Sequence, residues 1–324
     1  MITASNSPFA PFLHAKESVF SLRFDTVTAL MPLIIIATVQ NGLRVLVLCA
    51  LSALAAFITE TLGNFAKLKI KPAPLRAATL GICIALLCPI TVPIYMPAIA
   101  SAVAVLIVRV ILPKDFKGLF STPAIGWLFM LSVWPEQMMQ FPVKTGFFEF
   151  PVFKNITDCN YAWSLAQYLQ FGEKPPQRML DILMGQFPGG IGTTCTLAII
   201  AITVFFIYRK SIAWQVSLSM MCTVAVFGFF INRAGVNPFY SVVYELAASN
   251  FIYVAIFIAG DIINAPKLPL SRIFYGVLIG VLTMILRYYG LYEHCVVFAL
   301  TIAGLISGVC DNLAINLRTL IRSK

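Results

Sequence analysis

The chain of 324 residues has few charged residues and only two histidines. Charged side chains make up 11% of the sequence, whereas hydrophobic side chains make up 60%. A soluble domain carries about 25% charged and about 45–50% apolar residues. The composition therefore excludes an ordinary soluble enzyme. It predicts a membrane protein that has room for about ten spans of about 20 residues each.

The sequence also lacks the motifs of most self-sufficient catalysts. Its eight cysteines form no Cys-x-x-Cys pair, and nearly all lie in apolar stretches, which indicates packing residues rather than a metal site. His14 and His294 are isolated outside the apolar spans, and no phosphate loop or Ser-His-Asp set is present. An independent hydrolase or kinase has no support. The net charge of +10 indicates cytoplasmic Lys and Arg rather than nucleic-acid binding.

The apolar pattern predicts an all-α polytopic membrane protein with about ten transmembrane helices. Residues 177–188 echo residues 22–32 in the spacing of a basic residue, an Asp and a Pro, which favours two inverted five-helix repeats; chance similarity is the alternative. Prolines at 89, 93 and 97 predict a broken helix, and the mixed stretch 232–249 predicts a half-buried or re-entrant helix. Most of the 23 basic residues fall on the side of the two termini, which predicts that both termini are cytoplasmic. The predicted segments are a cytoplasmic N-terminus (1–24), a first half (25–139), an extracytoplasmic loop (140–187), a second half (188–312) and a basic cytoplasmic tail (313–324).

A glycine-rich turn before the sixth span is the first candidate site. Gly189, Gly190 and Gly192 let another backbone or a ligand approach where a Cβ atom would collide. Thr193 and Thr194 put short polar groups at the start of a helix, whose free N–H groups favour an anion or a polar ring edge. The alternative is a glycine hinge at which a helix enters the membrane.

Ionisable residues within the spans are the second group of candidates. Few occur, and Glu60, Asp261, Arg287 and Asp311 all lie near span ends. Such residues are costly in a membrane unless they are paired or hydrated, so they mark functional sites by default. The alternative is helix capping or snorkelling to the interface. Asp261 and Arg287 are the candidates for a coupled path of sodium ions or protons.

Several segments occur in the order expected of one known family. Residues 180–198 look like Gly-x-x-Pro-Gly-x-x-Gly-Glu-Thr-Ser-x-Leu-Ala, and residues 259–269 look like Ala-Thr-Asp-Pro-Val-Thr-Ser-Pro. Residues 286–299 look like Ile-Arg-x-x-Gly-x-Tyr-Pro-Glu-Gly-Val-x-Phe-Ala. Over most of its length the chain resembles the RnfD/NqrB family, membrane subunits of the Rnf electron-transport complex and of the sodium-pumping NADH:quinone oxidoreductase. The resemblance implies two five-span halves that pass electrons across the cell inner membrane with riboflavin and a covalent FMN.

The chain departs from this family where the flavin is attached. The acceptor threonine of the covalent FMN is replaced by Trp163, whose indole has no hydroxyl, and Ser164 and Thr157 are nearby hydroxyls off the motif. Thr193 replaces the glutamate of the glycine turn. The resemblance therefore implies no covalent FMN here, but riboflavin or FMN bound non-covalently at Gly189–Thr194, or a partner's flavin stacked on Trp163. The alternative for Trp163 is an aromatic residue at the membrane interface.

The resemblance predicts a membrane subunit of an Rnf-like ion-translocating, flavin-dependent electron transport complex. It would work in the lipid bilayer beside other membrane subunits and a flavin-bearing extracytoplasmic partner, and it would not be catalytic alone. Two alternatives stay open on the sequence. One is a transporter or channel for a small solute, because inverted halves with broken helices suit that function equally well. The other is a redox-silent scaffold subunit.

Overall fold

The computed structural model describes residues 19–67, 74–113, 119–143, 161–233, 235–290 and 293–322. Within these ranges the regular elements are helices and one two-stranded hairpin, in which Phe141–Pro142 (β1) pairs antiparallel with Tyr161–Ala162 (β2). The seven cysteines in these ranges are free thiols. The predicted all-α polytopic architecture is confirmed.

Five helices form the first half of the molecule. Pro32 lies inside the first of them, and the fourth continues as a π-helix over Leu106–Ile111. The prolines break the chain as predicted, because the third helix ends before Pro89 and the next begins two residues after Pro93. The helices are α1 (Val19–Asn41), α2 (Arg44–Lys67), α3 (Pro74–Leu87), α4 (Tyr95–Val105) and α5 (Thr122–Val133).

Short elements connect the two halves on one face of the molecule. They are α6 (Pro135–Met138), the hairpin, α7 (Leu165–Phe171) and α8 (Met179–Met184). We call this side the loop face, and the opposite side, where α1 begins, the terminal face. Of these elements, the hairpin, α7 and α8 lie within the predicted loop over 140–187.

The second half repeats the packing order of the first. Its helices are α9 (Thr196–Arg209), α10 (Trp214–Phe230), α11 (Pro238–Ala247), α12 (Phe251–Tyr253, continued as a π-helix over Val254–Ile258), α13 (Pro269–Tyr288) and α14 (Cys295–Arg322). In the first half α2 packs on α3 and α4, and α4 packs on α5. In the second half α10 packs on α11 and α13, and α13 packs on α14. The halves meet where α1 packs on α9 and α5 packs on α14.

Among the described residues, four helical segments are long and apolar enough to cross a membrane: Ser21–Asn41, Arg44–Gly63, Pro238–Ile258 and Pro269–Tyr288. Six further apolar helices are shorter. Together these ten correspond one to one with the predicted spans. Residues 238–247 belong to the stretch that was predicted to be half-buried or re-entrant. They form the first part of the eighth apolar segment, Pro238–Ile258. The last helix runs on to Arg322, so the predicted tail is helical through that residue.

Candidate functional site

Two interrupted helices face each other in the interior, one from each half. Helix α3 stops at Leu87. Helix α11 stops at Ala247, and Ser249 and Asn250 then adopt left-handed backbone angles with φ of 58° each before α12 begins. A broken helix exposes backbone carbonyls and N–H groups that need partners when they are buried. The residues that supply those partners define the candidate site.

The glycine turn caps the broken end of α3. The N–H of Ile191 donates to the Cys88 carbonyl at 2.9 Å, and the N–H of Gly192 donates to the Leu86 carbonyl at 2.8 Å. A Cβ atom on Gly190 would lie 2.6 Å from the Leu87 carbonyl oxygen. The glycines are therefore required because two stretches of backbone approach each other closely.

The same turn also contacts the second break. The Thr193 hydroxyl donates to the side-chain oxygen of Asn250 at 2.6 Å, and Thr194 is completely buried. A Cβ atom on Gly189 would lie 2.9 Å from the methyl group of Thr194. The turn thus joins the two broken helices. Flavin binding by this turn stays a prediction for Gly189, Gly190, Gly192, Thr193 and Thr194. In this conformation these residues contact other parts of the protein.

A buried ion pair caps the other side of the second break. Arg287, near the end of α13, is 0% exposed and donates to the Glu245 carboxylate. Its guanidinium also donates to the Glu245 carbonyl at 2.8 Å and to the Ala248 carbonyl at 3.4 Å. A cation at the C-terminal end of a helix such as α11 is favourable because the free carbonyls there carry partial negative charge.

The first half holds a comparable arginine that the sequence analysis did not select. Arg44, the first residue of α2, is 0% exposed and donates to the Val92 carbonyl at 2.9 Å, within the break that follows α3. Each half therefore has a buried arginine bound to backbone carbonyls of its broken helix. The signal for Arg44 was a basic residue two positions after the predicted Asn41-Gly42 turn, a pattern that fits an exposed loop residue equally well.

Two titratable residues follow in the turn before α14. Glu293 is 8% exposed and His294 is 2% exposed, and the His294 ring lies 5.7 Å from the ring of the buried Trp127. Burial raises the pKa of Glu293 to about 7, although the positive charge of Arg287 opposes that rise. Burial lowers the pKa of His294 to about 4. The sequence treated His294 as an isolated histidine and did not select Glu293.

Asp261 lies at the terminal face, far from Arg287. It accepts a hydrogen bond from the Arg23 guanidinium at 3.3 Å, which ties the start of α1 to the second half. Asp25, two residues after Arg23 on α1, pairs with Arg209 at 2.8 Å and accepts a hydrogen bond from the Ser211 hydroxyl at 2.5 Å. The structure therefore separates the two ion-path candidates, because Asp261 precedes α13 and Arg287 is near its far end.

Trp163 lies on the loop face and is 44% exposed. Its ring stacks on Phe171 with 5.0 Å between ring centroids. Phe171 in turn lines an open cavity of about 630 Å³, whose other side carries Arg233, Tyr288 and Tyr289. The Arg233 guanidinium lies 4.0 Å from the centre of the Tyr288 ring. The cavity thus offers aromatic faces and one cation to a ligand.

The neighbouring hydroxyls have different positions. The Ser164 hydroxyl accepts a hydrogen bond from the Gln167 N–H at 3.2 Å and so caps α7. Thr157 lies outside the described residues. Throughout the described ranges, no group of three or more His, Cys, Asp or Glu side chains is placed to hold a metal ion.

Comparison with known proteins gives a consistent result. The model of the NQR2, RnfD, RnfE family matches residues 6–318. The chain is 27% identical to a subunit of the Na(+)-translocating ferredoxin:NAD(+) oxidoreductase complex of Acetobacterium woodii, over 91% of this chain and 88% of that protein. It is 23% identical to a subunit of the ion-translocating oxidoreductase complex of Haemophilus ducreyi, over 94% and 95%. It is 22% identical to a subunit of the proton-translocating ferredoxin:NAD(+) oxidoreductase complex of Clostridium ljungdahlii, over 93% and 92%.

Proposed function

Because the chain belongs to the NQR2, RnfD, RnfE family, we propose that it is a membrane subunit of an Rnf-like ion-translocating, flavin-dependent electron transport complex. The observation that carries the proposal is the extent of the family match, over residues 6–318. That range includes both halves and the segments between them, so the similarity concerns the whole subunit. The low identity to the three relatives marks this chain as a divergent member.

The proposal includes a place in the cell. The chain lies in the cytoplasmic membrane with both termini on the cytoplasmic side, so the loop face is extracytoplasmic. The excess of Lys and Arg on the side of the termini supports this orientation. Other membrane subunits cover part of its apolar surface, and a flavin-bearing extracytoplasmic partner contacts the loop face. The chain supplies part of the electron path and is not catalytic alone.

The flavin of the proposal is bound non-covalently, as riboflavin or FMN. The glycine turn gives weak support in this conformation, because its N–H groups at Ile191 and Gly192 already donate to carbonyls at the end of α3. The loop-face cavity gives better support, since about 630 Å³ is within the range of small-ligand sites. Phe171, Tyr288 and Arg233 line this cavity and present ring faces and a cation to a planar ring. Trp163 does not line it but stacks on Phe171.

Asp261 and Arg287 remain proposed points on the ion path. Each is bound to a partner of opposite charge, Asp261 to Arg23 and Arg287 to Glu245. An ion that moves across the membrane must exchange with water at both faces. The two pairs lie at opposite ends of α13, which spans roughly 27 Å between its first residue and Arg287. We therefore assign them to separate steps of ion movement.

Affinity purification from native membranes in mild detergent tests the proposal. We expect other membrane subunits to co-purify with the tagged chain, together with extractable flavin. The band of this chain on a denaturing gel should show no flavin fluorescence. Purification of the chain alone, with solute flux in liposomes, would instead support a transporter. Co-purified subunits without any flavin would support a redox-silent scaffold.

A matched pair of variants locates the flavin. Trp163→Leu removes the exposed ring that stacks on Phe171 and should lower the flavin retained per complex severalfold. Trp214→Leu on α10 is the control, because Trp214 is similarly exposed at 48% but, unlike Trp163, does not stack on a residue that lines the loop-face cavity. Equal flavin content in both variants would show that the Trp163–Phe171 stack does not hold the flavin.

A further inference from the structure

A cluster of buried polar atoms lies beside the second helix break. Several side-chain atoms there have no hydrogen-bond partner among the described residues, although each is shielded from solvent. They are Glu245 Oε1, Arg287 Nε, Glu293 Oε1, both ring nitrogens of His294, and Trp127 Nε1. Buried polar atoms are nearly always paired in folded proteins. Pairwise contacts link these side chains, since Arg287 pairs with Glu245, its charge acts on Glu293, and the His294 ring contacts Trp127. The unpaired atoms leave room for a small polar species to bind.

The charges of the cluster identify that species. One buried cation, Arg287, faces two carboxyl groups, Glu245 and Glu293. In a low-dielectric interior, two carboxylates beside one guanidinium leave an uncompensated negative charge, which is costly. One added proton makes the group neutral, provided that His294 is uncharged, as its burial favours. A metal ion fits less well, because the described residues include no three-ligand group.

The surrounding elements contain few other groups that could neutralise the second carboxylate. Helix α5 contributes the uncharged Trp127, and α14 begins with the thiol of Cys295. Tyr288 on α13 faces Arg233, a half-buried cation at the rim of the cluster whose charge also acts on Glu245. The cation that acts on Glu293 is Arg287. Glu245 and Arg287 are paired with each other. Within the part of the chain that the structure describes, Glu293 is therefore the carboxyl group of this cluster without a dedicated partner.

We propose that Glu293 is a reversible proton-binding site on the loop-face side of the molecule, next to the Arg287–Glu245 pair. The proton binds a carboxylate oxygen of Glu293, and its release leaves that carboxylate facing Arg287. This inference deepens the proposed function, on which its physiological role rests. It gives the translocating subunit a proton-exchange residue at the end of the molecule opposite to Asp261.

Chemical labelling of the unaltered chain tests the proposal without any variant. A hydrophobic carbodiimide reacts with protonated carboxyl groups in apolar surroundings, and peptide mapping by mass spectrometry locates the adduct. We expect labelling of Glu293 in membranes to fall roughly tenfold between pH 6 and pH 8, as a group titrating near neutral pH would. No labelling at any pH, or labelling independent of pH, would overturn the proposal.

Infrared difference spectroscopy supplies the variant test. A pH step across neutrality should change the carbonyl stretch of a protonated carboxyl in the wild type, and Glu293→Gln should abolish that change. Glu173→Gln is the matched control, because Glu173 is an exposed acid on the loop face. Glu293→Asp should restore a titrating band if the site is a carboxyl site. A Glu293→Gln spectrum identical to the wild type would contradict the proposal.

These measurements separate the inference from the proposed function. Labelling and infrared spectra are recorded on this full-length chain and need neither another subunit nor flavin. Titration at Glu293 in a chain that co-purifies with no partner would support the proton site and contradict the proposed complex. Assembly with partners and flavin, without titration at Glu293, would support the complex and contradict the proton site.

Discussion

At the scale of single residues, the buried Arg287–Glu245 pair sets the largest expected effect on stability. Arg287→Met leaves the Glu245 carboxylate buried without its cation, which should cost about 3–5 kcal/mol of the free energy of unfolding. The measurement is chemical unfolding in detergent, followed by circular dichroism. The double variant Arg287→Met with Glu245→Leu removes both charges and should lose less than the single variant. A double variant that is less stable than Arg287→Met would contradict this account.

Glu293 and His294 should make the free energy of unfolding change with pH in opposite directions. The Glu293 pKa is raised from 4.5 to about 7, so the stabilisation by its protonated form is complete below pH 4.5 and is lost as pH rises through 7. The His294 pKa is lowered from 6.5 to about 4, so its stabilising contribution is complete above pH 6.5 and is lost as pH falls through 4. Each effect is of order 3 kcal/mol.

The two contributions nearly cancel in the wild type, and single variants should reveal them. With Glu293→Gln, the His294 contribution remains, so the apparent Tm should rise with pH between 4.5 and 6.5 relative to the wild type. With His294→Gln, the Glu293 contribution remains, so the apparent Tm should fall over the same range. Thermal scans in one detergent across this pH range measure both. Parallel pH profiles for the two variants would show that neither group titrates as its burial implies.

The residue scale also shows what the sequence could not supply. Arg287 was identifiable because a charge in an apolar span is costly, but Glu245 lay in a stretch of mixed polarity and Glu293 in a turn. Their proximity follows from the bonds of Arg287 to the end of α11 and from the contact of the break at 248–250 with α14, which no local pattern encodes. Arg44 was missed for the same reason, since its carbonyl partner at Val92 is 48 residues away.

At the scale of elements, the glycine turn should tolerate no side chain where backbones meet. Gly190→Ala places a Cβ atom 2.6 Å from the Leu87 carbonyl oxygen, so the turn must move away from α3. We expect a loss of about 1–3 kcal/mol, typical of overpacking. The measurement is the apparent Tm of the purified chain.

Gly308→Ala in α14 is the matched control. A Cβ atom on Gly308 would have nothing within 4 Å, and alanine favours a helix over glycine, so this variant should be as stable as the wild type or more stable. A Gly190→Ala protein as stable as the Gly308→Ala protein would mean that the turn does not pack on α3 in the membrane.

The helices themselves were largely predictable, and their ends were less so. Pro89 and Pro93 lie in the break after α3, because proline removes an N–H donor and clashes with the preceding turn. The third proline, Pro97, lies in the first turn of α4, where no preceding turn is disrupted. The second break has no proline, and Ser249 and Asn250 adopt left-handed angles that tertiary contacts with Thr193 and Arg287 support. Helix α14 continues past the predicted end of its apolar span at 309, because residues 310–322 contain neither proline nor glycine to end it.

At the scale of the whole molecule, contacts at both faces hold the two halves together. Arg23–Asp261 and Asp25–Arg209 join them at the terminal face, and the glycine turn joins them at the loop face. We therefore expect that residues 1–150 and 151–324, co-expressed as separate chains, assemble and co-purify. The measurement is recovery of the untagged half with the tagged half from detergent-solubilised membranes.

One side chain tests whether the terminal face contributes to this assembly. Asp25 is largely buried, pairs with Arg209 and accepts from Ser211, so Asp25→Asn removes the negative charge from that contact. About half of the Arg209 side chain is exposed, which limits the loss, and recovery of the partner half should fall severalfold rather than vanish. Glu136→Gln, an exposed acid on the loop face, is the control and should leave recovery unchanged. Unchanged recovery with Asp25→Asn would assign the association of the halves to the apolar packing of α1 on α9 and α5 on α14, because that packing is the contact that remains.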